Sequence, residues 1–136
     1  MSMTQHLQAM LQSQPHHPSA QPVIERCIAS CLDCGAVCTS CADACLSESN
    51  VAEMVTCIRL DLDCADLCGA TARMVGRLTK PNKASMAATL QACIAACEAC
   101  AAECGKHADM HAHCRICAES CRACAVACQE LLDVMP

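Results

Sequence analysis

The sequence has no Phe, Tyr or Trp, and among its 136 residues only four Gly, five Pro and nine Lys or Arg against fourteen Asp or Glu, for a net charge of −5. Each shortage excludes something. Without aromatics there is no platform on which nucleobases stack, and a net negative chain carries no electrostatic footprint for nucleic acid. No run of eighteen apolar residues exists, which argues against a membrane span. Residues 1–20 contain no Lys or Arg, no apolar core segment and no paired arginines, so neither a secretory nor a twin-arginine signal is read there and a cytoplasmic location is expected. No Ser/His/Asp set, Gly-rich phosphate loop or paired-carboxylate constellation is present, so a non-enzymatic role is expected.

What is abundant is cysteine, at 18 residues. A content above ~10% in a short chain often marks a secreted disulfide scaffold. In a reducing compartment the same pattern more often means metal. Cys27, Cys31, Cys34, Cys38, Cys41 and Cys45 follow one another in alternating steps of four and three, which keeps side chains on one face of a 3.6-residue helix, in the seam that a bundle normally fills with Leu, Ile and Val. Residues four apart on a helix have Cβ atoms ~5–6 Å apart, whereas a disulfide needs ~3.5–4.5 Å. The C-x3-C pairs therefore cannot close without bending the helix.

The remaining cysteines repeat the pattern. A short helix is expected over 4–12, with Leu7, Met10 and Leu11 on one side, ended by Pro15-His16-His17-Pro18. Four long helices follow. The first runs from Pro22, a residue suited to a first helical turn, to about Leu46. The second spans about 51–77 and carries Met54, Cys57, Asp61, Cys64 and Cys68 in register, with Asn50 and Glu53 spaced as a capping box. The third, about 85–104, carries Met86, Leu90, Cys93, Cys97, Cys100 and Cys104, with Gly105 placed as a C-terminal cap. The fourth begins near Ala108 or Asp109 and carries Cys114, Cys117, Cys121, Cys124 and Cys128 before Leu131 and Leu132. Short connections predict an all-α, antiparallel up-down-up-down four-helix bundle over 22–136, preceded by a short N-terminal helix and Pro/His linker over 1–21.

That topology brings the turns at 46–50 and 105–109 to one end, gathering Cys45, Met54, Cys104, His107, Met110, His111 and His113 into a mouth of soft or borderline metal ligands. Val23, Ile24, Val75, Leu78, Met86, Leu90, Leu131 and Leu132 collect at the other end as a hydrocarbon plug. His111 continues the register into Cys114 and is the preferred mouth ligand, with His107 beside it. His113 is expected to face outward. Met54 is read equally as core or as thioether ligand. Asp61 stands where a Cys would complete the ladder four residues after Cys57, as an auxiliary oxygen ligand or as a hydrogen-bond acceptor for the core. His6, His16 and His17 decorate the N-terminal segment.

Thiolates favour Cu(I), Zn(II) and iron–sulfur clusters. Zinc takes four ligands in a tetrahedron, usually from knuckles on loops, while straight helices offer pairs of sulfurs along one helix and across to the next. Two- and three-coordinate thiolate sites suit Cu(I). Charge points the same way: eighteen buried thiolates need compensating cations, and one monovalent ion per thiolate leaves the core neutral. Capacity is then roughly nine to eighteen Cu(I) per chain, against about four for zinc in four-sulfur sites. Without metal each thiol packs as a small hydrophobe, so the bundle is expected to fold empty. A zinc or general soft-metal buffer of metallothionein type is the alternative, and a thiol redox sensor is disfavoured by the helical spacing.

Four Cys-lined helices with repeated C-x3-C and C-x2-C steps, no aromatics and His at one mouth resemble the bacterial four-helix-bundle copper storage proteins, in the branch without an export signal. The resemblance covers 22–132. It implies storage of Cu(I) in the cytosol by a homo-oligomer, a tetramer, with sites such as Cys27/Cys31, Cys34/Cys38, Cys41/Cys45, Cys64/Cys68, Cys93/Cys97, Cys100/Cys104, Cys117/Cys121 and Cys124/Cys128. Cys57 and Cys114 would bridge between helices or serve the mouth. A copper chaperone or a thiol ligand is left open as the delivering partner.

Overall fold

The computed structural model describes residues 4–135, so the outer limits of the two expected segments, at 1–3 and 136, lie outside the described residues. Every regular element among the described residues is helical: α1 (Gln5–Gln12), α2 (Gln21–Leu46), a 3-10 turn (Val51–Met54), α3 (Val55–Val75), α4 (Lys83–Gly105) and α5 (Ala112–Val134). Helices α2 to α5 form a ring in which α2 packs on α3 and α5, and α4 on α3 and α5. This is the expected four-helix bundle.

Local chemistry sets most boundaries. Pro22 sits in the first turn of α2, where its missing N–H costs nothing. The Asn82 side chain accepts from Ser85 N at 2.9 Å and starts α4 two residues before the expected Ser85. Three expectations at helix ends are corrected. Asn50 and Glu53 make no capping box: the chain tightens into the 3-10 turn through Glu53 N–H to Asn50 O at 2.9 Å, and the Asn50 side chain caps nothing. Gly105 is the last residue of α4 rather than a left-handed cap, because the chain continues in helical geometry through Lys106. And α5 starts at Ala112, since residues 106–110 form turns and His111 is extended at φ −134°, ψ 120°.

The core is sulfur along its length and hydrocarbon at one end. No cysteine is more than 2% exposed. Ile24, Val75, Leu78, Leu90 and Leu131 are buried at the closed end, with Val23, Met86 and Leu132 packed against them. Just outside lies a cavity of about 250 Å³, which the linker residues His16, Pro18 and Ala20 share with Leu78, Pro81 and Met135. On α1, Leu11 is buried and Leu7 half-buried, but Met10 turns to solvent. Helices α2 and α4 are long and apolar enough by composition to cross a membrane, yet all their cysteines are buried within the bundle.

Candidate metal centre

The 3/4 register aims each cysteine at the bundle axis, where sulfurs from different helices meet. All eighteen are free thiols. The shortest sulfur contacts cross between helices: Cys57 to Cys104 at 3.2 Å, Cys38 to Cys121 at 3.5 Å and Cys64 to Cys97 at 3.6 Å. Of the i,i+4 pairs, Cys34/Cys38, Cys64/Cys68 and Cys100/Cys104 come within 3.7, 3.9 and 3.9 Å. At the closed end Cys128 lies 3.8 Å from both Cys27 and Cys31. A metal–sulfur bond of about 2.3 Å, the zinc–thiolate length, needs sulfurs about 3.8 Å apart in a tetrahedron and about 4.0 Å in a trigonal plane. The sulfurs thus already stand at bridging distance.

Among the described residues the sulfurs group into quartets, each with all atoms within 4.8 Å of one another: from the mouth inward, Cys41/Cys45/Cys57/Cys114, Cys38/Cys100/Cys117/Cys121, Cys34/Cys38/Cys64/Cys121, Cys34/Cys68/Cys97/Cys124 and Cys31/Cys68/Cys93/Cys124. Cys34, Cys38, Cys68, Cys121 and Cys124 each serve at least two quartets. A closed zinc site uses each thiolate once. Shared sulfurs suit clusters of bridged ions instead.

Shared protons tune the thiols. Hydrogen bonds from Cys104 and Cys41 lower Cys57 below an ordinary thiol, and one from Cys128 does the same for Cys27. Burial pushes Cys114 up to about 11. Asp61, wholly buried, has Oδ1 3.0 Å from Cys100, 3.2 Å from Cys117 and 3.3 Å from Cys104, with Cys57 3.9 Å from Oδ2. Its burial raises the carboxyl to about 8. It is a hydrogen-bond acceptor set among four thiols.

At the mouth, His113 points inward rather than outward: Nδ1 lies 3.4 Å from Cys41 Sγ and 3.6 Å from Cys114 Sγ, while Nε2 lies 2.9 Å from Glu48 Oε2. The preferred His111 is occupied on both sides, Nδ1 being 2.7 Å from Glu48 Oε2 and Nε2 3.2 Å from Asn50 Oδ1. His107 is half-buried in the turns that precede α5. Met54 is wholly buried, whereas Met110 is 61% exposed and stands outside the mouth. Glu48, and the contact of Asn50 with His111, have no signal in the sequence, since a polar turn gives no sign of which facing turn it meets.

Comparison with known proteins agrees with this geometry. The sequence profile of the copper storage protein family matches residues 20–133. A cysteine-rich protein of Bacillus subtilis, YhjQ, is 39% identical over 95 residues, 70% of this chain and 82% of its own. The copper storage protein Ccsp from Streptomyces lividans, loaded with 10 copper equivalents, superimposes with a TM-score of 0.91 at 49% identity, covering 93% of this chain and 98% of its own. A structure of a cytosolic copper storage protein from the same organism with five coppers gives 0.84 at 52% identity, covering 85% and 97%. Cu(I)-bound BsCsp3 gives 0.70 at 39% identity, covering 79% and 96%.

Proposed function

The chain belongs to the copper storage protein family, and from that premise we propose how it loads and holds its cargo. It sequesters many Cu(I) ions in a bundle lined with thiols, a storage role. One observation carries the proposal for the sites: quartets of wholly buried sulfurs that share members along the length of the bundle. Where a cysteine is a thiol, the Cu(I) that binds it displaces the proton, so charge stays balanced at those sites, and a shared sulfur bridges to the next ion. The ligands are the eighteen cysteines over 22–136, with Asp61 as oxygen neighbour of the second quartet and His107 and Met54 at the mouth, where His111 is held instead by Glu48 and Asn50. To these we add His113, whose Nδ1 faces Cys41 and Cys114. It is the first nitrogen donor a copper ion meets beside thiols.

The protein acts in the cytoplasm as a homotetramer. Exposed Leu32, Leu62, Ile116 and Val126 on the outer helix faces support association between copies, and the cytosolic relative supports the location. Titrating the reduced, metal-free protein with Cu(I) against a chelator and counting tightly held ions tests storage. Roughly nine to eighteen per chain are expected, and saturation at two or fewer would refute it.

A further inference from the structure

One polar cluster at the mouth has no part in binding copper through sulfur. Glu48 lies in the turn that follows α2 and reaches across to the start of α5. A single carboxylate oxygen, Oε2, stands 2.9 Å from His113 Nε2 and 2.7 Å from His111 Nδ1. A carboxylate enters such a contact only as an acceptor. A neutral His113 must then carry its proton on Nε2. Its Nδ1 lone pair is left facing Cys41 Sγ at 3.4 Å and Cys114 Sγ at 3.6 Å. His111 is fastened differently, between Glu48 and Asn50, and stacks on His113 with centroids 5.2 Å apart and planes 17° from parallel. The carboxylate therefore sorts two adjacent imidazoles: one aimed at sulfur, the other tied to the turn.

We propose that Glu48 is a positioning residue for copper uptake, clamping His113 through Nε2 so that Nδ1 is presented to Cys41 and Cys114 while His111 is kept off the sulfurs. The proposal rests on the reading of His113 as a mouth ligand. Histidine ligands to metals generally donate their second N–H to a carboxylate or carbonyl, which fixes the ring, and removing that partner typically costs 10- to 100-fold. Glu48 could instead act by its charge alone, raising the local concentration of cations. Glutamine separates the two roles, because it loses the charge and keeps an oxygen that accepts from Nε2–H.

The test uses the full-length, reduced, metal-free protein. Cu(I) is delivered from a chelator and uptake is followed by stopped-flow absorbance of the copper–thiolate bonds. Glu48→Ala slows the initial phase by about tenfold, Glu48→Gln stays near the unmodified rate, and in a His113→Ala background Glu48→Ala adds nothing further. NMR of the metal-free protein gives a readout that needs no copper: the His113 Nε2 proton is protected from exchange in the unmodified and Glu48→Gln proteins and lost in Glu48→Ala. A Glu48→Gln protein as slow as Glu48→Ala, a Glu48→Ala protein that keeps the protected proton, or one that loads at full speed while His113→Ala slows, overturns the role of Glu48. If His113→Ala itself loads at full speed, the reading of His113 as a ligand fails first, and the proposal with it.

Discussion

Asp61 Oδ1 lies 3.0 Å from Cys100 Sγ across the α3–α4 interface, a carboxyl placed where the ladder of α3 would otherwise carry a fourth rung of sulfur facing α4. Its surroundings have a measurable cost. Burial raises Asp61 to about 8 from an ordinary 3.8, so the folded state binds its proton more tightly than the unfolded chain does. The stabilising protonation is fully present below pH 3.8 and is lost as pH rises through 8. Comparing urea denaturation of metal-free protein with that of Asp61→Asn isolates this from the thiols. The advantage of the Asn variant should grow from pH 5 to pH 8, by at most about 1.4 kcal/mol per pH unit. A pH-independent difference would show that Asp61 stays ionised in the fold.

The metal-free bundle should be helical and cooperatively folded. Wholly buried thiols satisfy one another, as at the 3.5 Å contact of Cys38 with Cys121, and a protonated cysteine packs as a small hydrophobe. Circular dichroism before and after Cu(I) loading checks this. A random-coil spectrum that becomes helical only with metal would contradict it.

Removing a shared pair should cost more than one site. Cys38 and Cys121 sit together in at least two quartets, and serine is a poor donor for a soft ion. The double variant Cys38→Ser with Cys121→Ser should lose about two or more Cu(I) per chain with unchanged helicity. Loss of no ion would mean that the sulfurs act as independent pairs. Elemental analysis after gel filtration gives the count.

The plug should matter for stability. Leu90 is wholly buried at the closed end among a core of small residues, and truncation there leaves a cavity that neighbouring thiols cannot fill. Leu90→Ala should destabilise the metal-free protein by about 2–5 kcal/mol, read from the urea midpoint. The corresponding change at exposed Leu46 should be nearly neutral.

Helix periodicity was enough to place the thiols: a step of three or four within a long helix leaves a side chain one choice of face, and Cys27 through Cys128 all turn inward. Periodicity fails where the helix does. His111 shares the spacing of Cys114, but it precedes α5 with an extended backbone, so the register does not govern its ring, and His113 inside the first turn takes the inward place. Asn50 illustrates the same point. Its side chain, spaced to cap a helix, meets a tightened 3-10 turn instead and faces His111 at 3.2 Å. Asp61 announced itself as the odd member of a ladder, while its partners on α4 and α5 depended on an inter-helix alignment that no local spacing encodes.

The hydrocarbon cap of Val75, Leu90 and Leu131 leaves the sulfur column with one outlet. Access to the column is therefore one-sided: the quartet of Cys41, Cys45, Cys57 and Cys114 stands at the mouth, with every other sulfur between it and the pair of Cys27 and Cys128 at the plug.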